Sequence, residues 1–168
     1  FAFLLLDAKN AFQLLNRSTM LYVLRYEWPA GALFAFNCYK HHSMLIVRSN
    51  TGSDFFELFS QSGVTQGCPI AMLAIGMGIL PMIRKLKHIF PHLSHCWYAD
   101  DGSAAGNLQP LKQYYKTVQN IGKYYGYILR PEKCVIVTNP ANWDRALALF
   151  QSLGFKPSNI CCCHHYLG

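Results

Sequence analysis

The chain opens on a continuous apolar run, Phe1 to Leu6, that stops at Asp7, the signature of a short strand buried on both faces. After Ala8 the pattern turns helical: Leu14 and Leu15 are apolar, Ser18 is placed to cap, and a second segment, Met20 to Tyr26, ends before Pro29. Ala30 to Lys40 reads as a further helix. Met44 to Arg48 and Phe55 to Phe59 flank Asn50-Thr51-Gly52-Ser53, which predicts a β-hairpin. A polar loop, Ser60 to Cys68, leads to Pro69 at the first turn of an uncharged helix running from Ile70 to Ile83. Ser94 to Tyr98 predicts a strand, Asp100-Asp101-Gly102 a tight turn, and Ser103 to Ala105 its return strand. Beyond them Leu111, Tyr114, Tyr115, Val118, Ile121 and Tyr125 recur with a helical period up to Gly126. Cys134 to Val137 predicts a strand, and Asn142 is placed to cap a helix, Trp143 to Leu153, that stops at Gly154.

The order strand, helices, hairpin, helix, strand predicts an α+β domain built on a ferredoxin-like antiparallel sheet with helices packed on one face. No repeat, low-complexity tract or Gly/Ser/Pro-rich linker divides the chain, so residues 1–168 are read as a single domain. The uncharged stretch from Ile70 to Ile83 falls short of the roughly 20 apolar residues a bilayer span needs, and it runs straight into Arg84, Lys85 and Lys87. It reads as a buried helix, and no membrane association is expected. Phe1 to Leu6 is not a signal-peptide core, because no basic segment precedes it and an Asp follows where a small-residue cleavage site would stand.

Composition narrows the class further. The residues are 52% hydrophobic, with 10 Tyr, 11 Phe and 3 Trp, far from the signature of disorder. The seven Cys form no CxxC pair and are odd in number, which points to reduced thiols and an intracellular protein, nuclear or cytoplasmic alike. A zinc reading of Cys161-Cys162-Cys163-His164-His165, with Cys38, His41 and His42, is disfavoured. Consecutive residues of an extended segment point to opposite faces and cannot all reach one tetrahedral ion, so a half-buried strand with solvent-facing histidines is expected instead.

Fifteen Lys and Arg against eight acids give a net charge of +7. If Asp7, Asp100 and Asp101 are set aside in one site, five acids remain and the rest of the chain carries +10, a balance that suits a polyanionic partner.

Those three acids carry the candidate chemistry. Asp7 ends the first strand, and Asp100-Asp101 sits in a hairpin turn 93 residues later. Were the two strands neighbours, the carboxylates would meet at one sheet edge, where they repel unless cations lie between them. Mg²⁺ takes hard oxygen ligands and leaves positions for phosphates and water. Two such ions about 4 Å apart support an in-line displacement at phosphorus. A plain turn built from an Asp-Asp pair is the alternative.

Five fragments then line up in one order. Asp7-Ala8-Lys9-Asn10-Ala11-Phe12 resembles the first palm motif of reverse transcriptases, an Asp followed five residues later by an aromatic. Ser62-Gly63-Val64-Thr65-Gln66-Gly67-Cys68-Pro69 resembles the second, with its Gln-Gly-x-Pro, and Tyr98-Ala99-Asp100-Asp101 is similar to the Tyr-x-Asp-Asp box. Gly126-Tyr127 with Pro131-Glu132-Lys133 resembles the fourth motif, and Tyr166-Leu167-Gly168 the start of the fifth. Cys68, between Gly67 and Pro69, stands where relatives carry an acidic, small or variable residue.

The resemblance implies a polymerase palm of the retroelement type, carrying out RNA-directed DNA synthesis. A dNTP would be joined to a primer 3′-hydroxyl with two Mg²⁺ ions, or Mn²⁺ in their place, on an RNA template and a DNA or RNA primer. Asp7 and Asp100 would be principal metal ligands, with Asp101 a weaker or indirect one. Phe12 would be the steric gate against a 2′-hydroxyl. Gln66, Gly67 and Tyr98 would line the nucleotide and template, and Lys133 would face the triphosphate and supply charge or a proton to the departing pyrophosphate. Six residues before Asp7 and none after Gly168 leave the fingers and thumb largely absent, so the chain is expected to be a piece of a longer polymerase with little or no activity by itself. The alternatives are a catalytically silent remnant that binds nucleic acid or a partner, and an RNA-templated RNA polymerase, against which Phe12 argues.

Overall fold

The computed structural model describes residues 1–50, 52 and 54–163. Its elements, in chain order, are β1 (Ala2–Leu6), α1 (Ala11–Leu14), α2 (Arg17–Glu27), α3 (Pro29–Tyr39), β2 (Ser43–Arg48), β3 (Phe55–Ser60), α4 (Ala71–Ile89), β4 (Ser94–Tyr98), β5 (Asp101–Gly106), α5 (Leu108–Gly122), β6 (Val135–Thr138), α6 (Trp143–Phe150) and β7 (Ile160–Cys161). β2 and β3 form a two-stranded sheet of their own. The other strands form a five-stranded sheet in the order β4-β5-β1-β6-β7, antiparallel except for the parallel pair β6 and β7.

Burial follows the periods that formed these elements. In α4 the buried positions Ala71, Ala74, Ile75, Gly78, Ile79, Met82 and Leu86 repeat at three and four residues. In α5 the same spacing buries Leu108, Leu111, Tyr114, Tyr115 and Val118. Both stripes join Leu4, Leu6, Ala104 and Ile136 of the sheet in one continuous core. Tyr115, Phe150 and Phe155 close its far end with edge-to-face ring contacts. Among the described residues no helix is long and apolar enough to cross a membrane.

The structure differs from several sequence expectations. β1 is buried on one face only, with Ala2, Leu4 and Leu6 inward and Phe3 49% exposed, because the helices cover a single side of the sheet. Asn16 rather than Ser18 caps α2, its side chain accepting from Thr19 N at 3.0 Å. Pro69 lies ahead of α4, whose N-cap is Ile70, and Pro81 sits in its interior, where the ring removes one backbone donor. The hairpin turn is Ala99-Asp100, so Asp101 is already the first residue of β5 and pairs with Tyr98. Ala99 makes that earlier closure possible by adopting a positive φ of 51°. α6 ends at Phe150, and a 3₁₀ turn, Gln151–Leu153, continues to Gly154. Asn142 makes no side-chain capping bond; Asn139, three residues earlier, accepts from Ala141 N instead. His164, His165 and the Tyr166-Leu167-Gly168 fragment lie outside the described residues.

Candidate active site

The β1–β5 register sets the site. Leu6 pairs with Gly102, so Asp7, one residue beyond β1, and Asp101, one residue before Gly102, leave the sheet at the same end. Asp100 belongs to the two-residue turn that joins β4 to β5 at that end. The three acids named from the sequence are thus gathered by strand pairing. Their mutual influence is visible at Asp101, whose carboxyl is held above its ordinary value first by burial and then by the charges of Asp100 and Asp7.

Backbone and side chains pin two of the acids, Asp7 and Asp100, from the core side. Asp7 donates its N–H to the buried Cys134 sulfur at 3.4 Å, and the Cys134 thiol points back toward the Asp7 carbonyl, 3.8 Å away. Burial pushes that thiol up to about 12, so it stays a neutral support. Tyr127, 1% exposed, donates its hydroxyl to the Asp100 carbonyl at 2.7 Å. Burial raises the Tyr127 phenol well above its ordinary value, which keeps the donor protonated. Ala99 and Asn10 are the two non-glycine residues with positive φ among the described residues, and both stand beside the acids. Left-handed backbone costs about 1 kcal/mol or more at Ala99, a strain the β4–β5 pairing must hold, and less at Asn10, whose short polar side chain tolerates that region.

The second motif is locked to the first. Val64 N donates to the Phe12 carbonyl at 2.7 Å and Gly63 N to the Leu15 carbonyl at 2.9 Å. A Cβ on Gly63, at φ +70°, would lie 2.2 Å from the Phe12 carbonyl oxygen, so only glycine permits this approach. Arg17 fastens the same loop from the other side, donating to the carbonyls of Ser60 (3.1 Å), Ser62 (3.1 Å) and Gly63 (3.0 Å) while its guanidinium lies over the Tyr39 ring. Gly67 also has a positive φ, of 88°, but a Cβ there would meet nothing within 4 Å. Its surface is open to a close approach from outside.

The other predicted residues divide. Phe12 is half-buried on α1 and packs against the core. Gln66 is exposed and lines a cleft of about 450 Å³ with Gln13, Phe59, Ser62 and Thr65, which neither Asp7 nor Asp100 borders. Tyr98 is 61% exposed beside the turn, and Lys133 is exposed at the foot of β6.

Sequence reasoning missed Arg17, Cys134, Tyr127 in its role under Asp100, and Arg130. Only the fourth motif's Gly126-Tyr127 pointed to any of them. Arg130 stands with its Nε 3.7 Å from Asp7 Oδ1, and its own N–H donates to the Asp7 carbonyl at 3.0 Å.

The sequence profile of the reverse transcriptase (RNA-dependent DNA polymerase) family matches residues 2–156. The chain belongs to the reverse transcriptase family. Its fold agrees with solved relatives. Apo telomerase from Candida tropicalis, truncated from the C-terminal domain, superposes with a TM-score of 0.66 over 83% of this chain at 15% identity. Telomerase from Candida albicans, in complex with a TWJ fragment of telomeric RNA, gives 0.65 over 83% at 13% identity. The chain spans about 30% of the length of these telomerases, 31% and 28%. No curated protein matches it.

The three carboxylates share one sheet end without enclosing a common point: among the described residues no three His, Cys, Asp or Glu side chains form a ready-made ion cage. Mg²⁺ rarely uses such cages, binding instead through one or two carboxylates with water and substrate phosphates. The donors present are all carboxylate oxygens, and Asp7 Oδ1 is buried with no hydrogen-bond partner. That donor set fits a hard divalent cation.

Proposed function

We propose that the chain is the palm of an RNA-directed DNA polymerase, joining a dNTP to a primer 3′-hydroxyl on an RNA template. One observation carries the reading: strand pairing delivers Asp7, Asp100 and Asp101 to one end of the sheet, close enough for Asp101 to feel both other charges. Family membership and the fold shared with telomerases support it.

In this reading Asp7 and Asp100 hold Mg²⁺, with Asp101 as an outer carboxylate. Bound there, the ions supply charge neutralisation for the triphosphate and a more acidic primer hydroxyl. The chain's own residues do the rest. Tyr127 and Cys134 keep the carboxylates in place from the core side. Gly67 lets nucleotide or template approach the backbone, Gln66 offers an amide beside it, and Tyr98 offers an exposed ring flanking the acids. Phe12 stands below the sugar and excludes a 2′-hydroxyl. Lys133 faces the triphosphate and can donate a proton to the leaving pyrophosphate. The basic balance of the chain serves template and primer phosphates.

The test is primer extension on an RNA template by the polypeptide that carries this domain. Asp7→Asn and Asp100→Asn should each abolish extension while leaving the melting temperature near that of the parent. Extension that survives both substitutions would remove the assignment.

A further inference from the structure

Arg130 is a charged group at Asp7 that the polymerase reading leaves without work. Its Nε lies 3.7 Å from Asp7 Oδ1, and these two atoms are both buried with no hydrogen-bond partner. That separation is beyond a hydrogen bond, so charge alone holds the pair across a gap. The placement is nonetheless fixed, because the segment is zipped to the Asp7 strand by its backbone. Arg130 N donates to the Asp7 carbonyl at 3.0 Å, Lys9 N donates to the Ile128 carbonyl at 2.7 Å, and Ala8 bridges Leu129 in antiparallel fashion. The Arg130 carbonyl in turn accepts from Lys133 and Cys134. The guanidinium is therefore tethered at the carboxylate by its backbone, with no hydrogen bond between the two side chains to lock it there. The guanidinium is a cation set beside the Asp7 carboxylate.

We propose that Arg130 is a positioning residue for Asp7: a tethered cation that holds the Asp7 carboxylate in the ion-free site and competes with the divalent cation for it. This rests on the reading of Asp7 as an ion ligand. A loosely held pair is what such a device requires, since a short bidentate bridge would block the carboxylate. The consequence runs against the ordinary effect of damaging a site. Removing a neighbour that merely supports a ligand weakens ion binding, whereas removing a fixed positive charge beside the ligand strengthens it.

The experiment titrates Mn²⁺ into the polypeptide that carries this domain and reads free ion by electron paramagnetic resonance, with circular dichroism confirming the fold of each variant. Arg130→Gln should bind Mn²⁺ about fivefold or more tightly than the parent, the scale of one nearby charge in a partly screened site. Arg130→Lys, which keeps the charge, should stay within about twofold of the parent, and Asp7→Asn should lose the site. Equal or weaker binding by Arg130→Gln, with the parent binding normally, overturns the proposal and leaves the ion reading of Asp7 intact. Absence of binding in the parent and in both Arg130 variants overturns the ion reading and the proposal together. Should Arg130→Gln fail to fold, Arg130→Met is read in the same way, and failure of both charge-removing variants would make Arg130 a structural residue and overturn its role as a competitor.

Discussion

Tyr127 reaches out of the core to hold Asp100 by its backbone: the buried phenol donates to the Asp100 carbonyl at 2.7 Å, and the Tyr127 ring packs edge to face on Trp97 of β4. A single core side chain thereby ties the acidic turn to β4. Tyr127→Phe keeps the ring and removes the donor, leaving the carbonyl without its partner. The expected loss is about 1 kcal/mol of stability, read from urea unfolding with an unchanged m-value, together with a fall in kcat for primer extension. Unchanged stability would show that water replaces the hydroxyl freely.

Gly63 and Gly67 separate two uses of a positive φ. Gly67→Ala meets open space, so its cost is the backbone alone, about 1 to 2 kcal/mol. Gly63→Ala adds a clash with the Phe12 and Gln13 carbonyls and should cost at least about 1 kcal/mol more. The nucleotide response should run the other way, with Gly67→Ala raising the KM for dNTP more than its modest effect on stability explains. Equal melting temperatures for the two variants would refute the packing argument at Gly63.

Burial first, and then the charges of Asp100 and Asp7, make an ionised Asp101 oppose folding when no cation is bound. Because the native state holds the Asp101 carboxyl above its ordinary value of 3.8, folding favours its protonated form, and stability is lost as pH rises from there through the raised value. Asp101→Asn removes that loss. In chelator at pH 7 the variant should melt higher than the parent, by about 1 to 3 °C given the exposure and screening of the group. The gain should vanish below the ordinary carboxyl value, where the parent is protonated in both states. A gain that is the same at pH 3 and pH 7 would show that charge is not its cause.

Phe12 stands on α1, five residues after Asp7, with its ring half-buried against the core. If it is the gate, Phe12→Ala in a primer-extending polypeptide should relax the preference for deoxynucleotides by about 1 to 3 kcal/mol in kcat/KM, the scale of one steric contact in a pocket. A lower melting temperature with an unchanged deoxy-to-ribo ratio would make Phe12 a packing residue only.

The elements and the acids could be read along the chain because each depends on neighbours a few residues away. The stripe Ala74, Ile75, Ile79, Met82 and Leu86 has to form a helix with one apolar face, and the Val-Ile-Val run of β6 has to form a strand, whatever else the chain does. The motif acids were legible for the same reason, each being set in a short local pattern. What surrounds them was not, because it depends on which strands pair. The β1–β6 register and the Ala8–Leu129 bridge bring Cys134 and Arg130 to Asp7 across more than a hundred residues, and the return of the chain after α5 places Tyr127 beneath Asp100. No periodicity announces a guanidinium beside a carboxylate at that separation. The sequence by itself determined which segments are helix and strand and that Asp7 and Asp100 stand just outside strands. Only tertiary pairing decided that Ala99 would bend through a positive φ, that β1 would be covered on one face, and that Asp7 would be left with a buried oxygen lacking a hydrogen bond and an arginine 3.7 Å away.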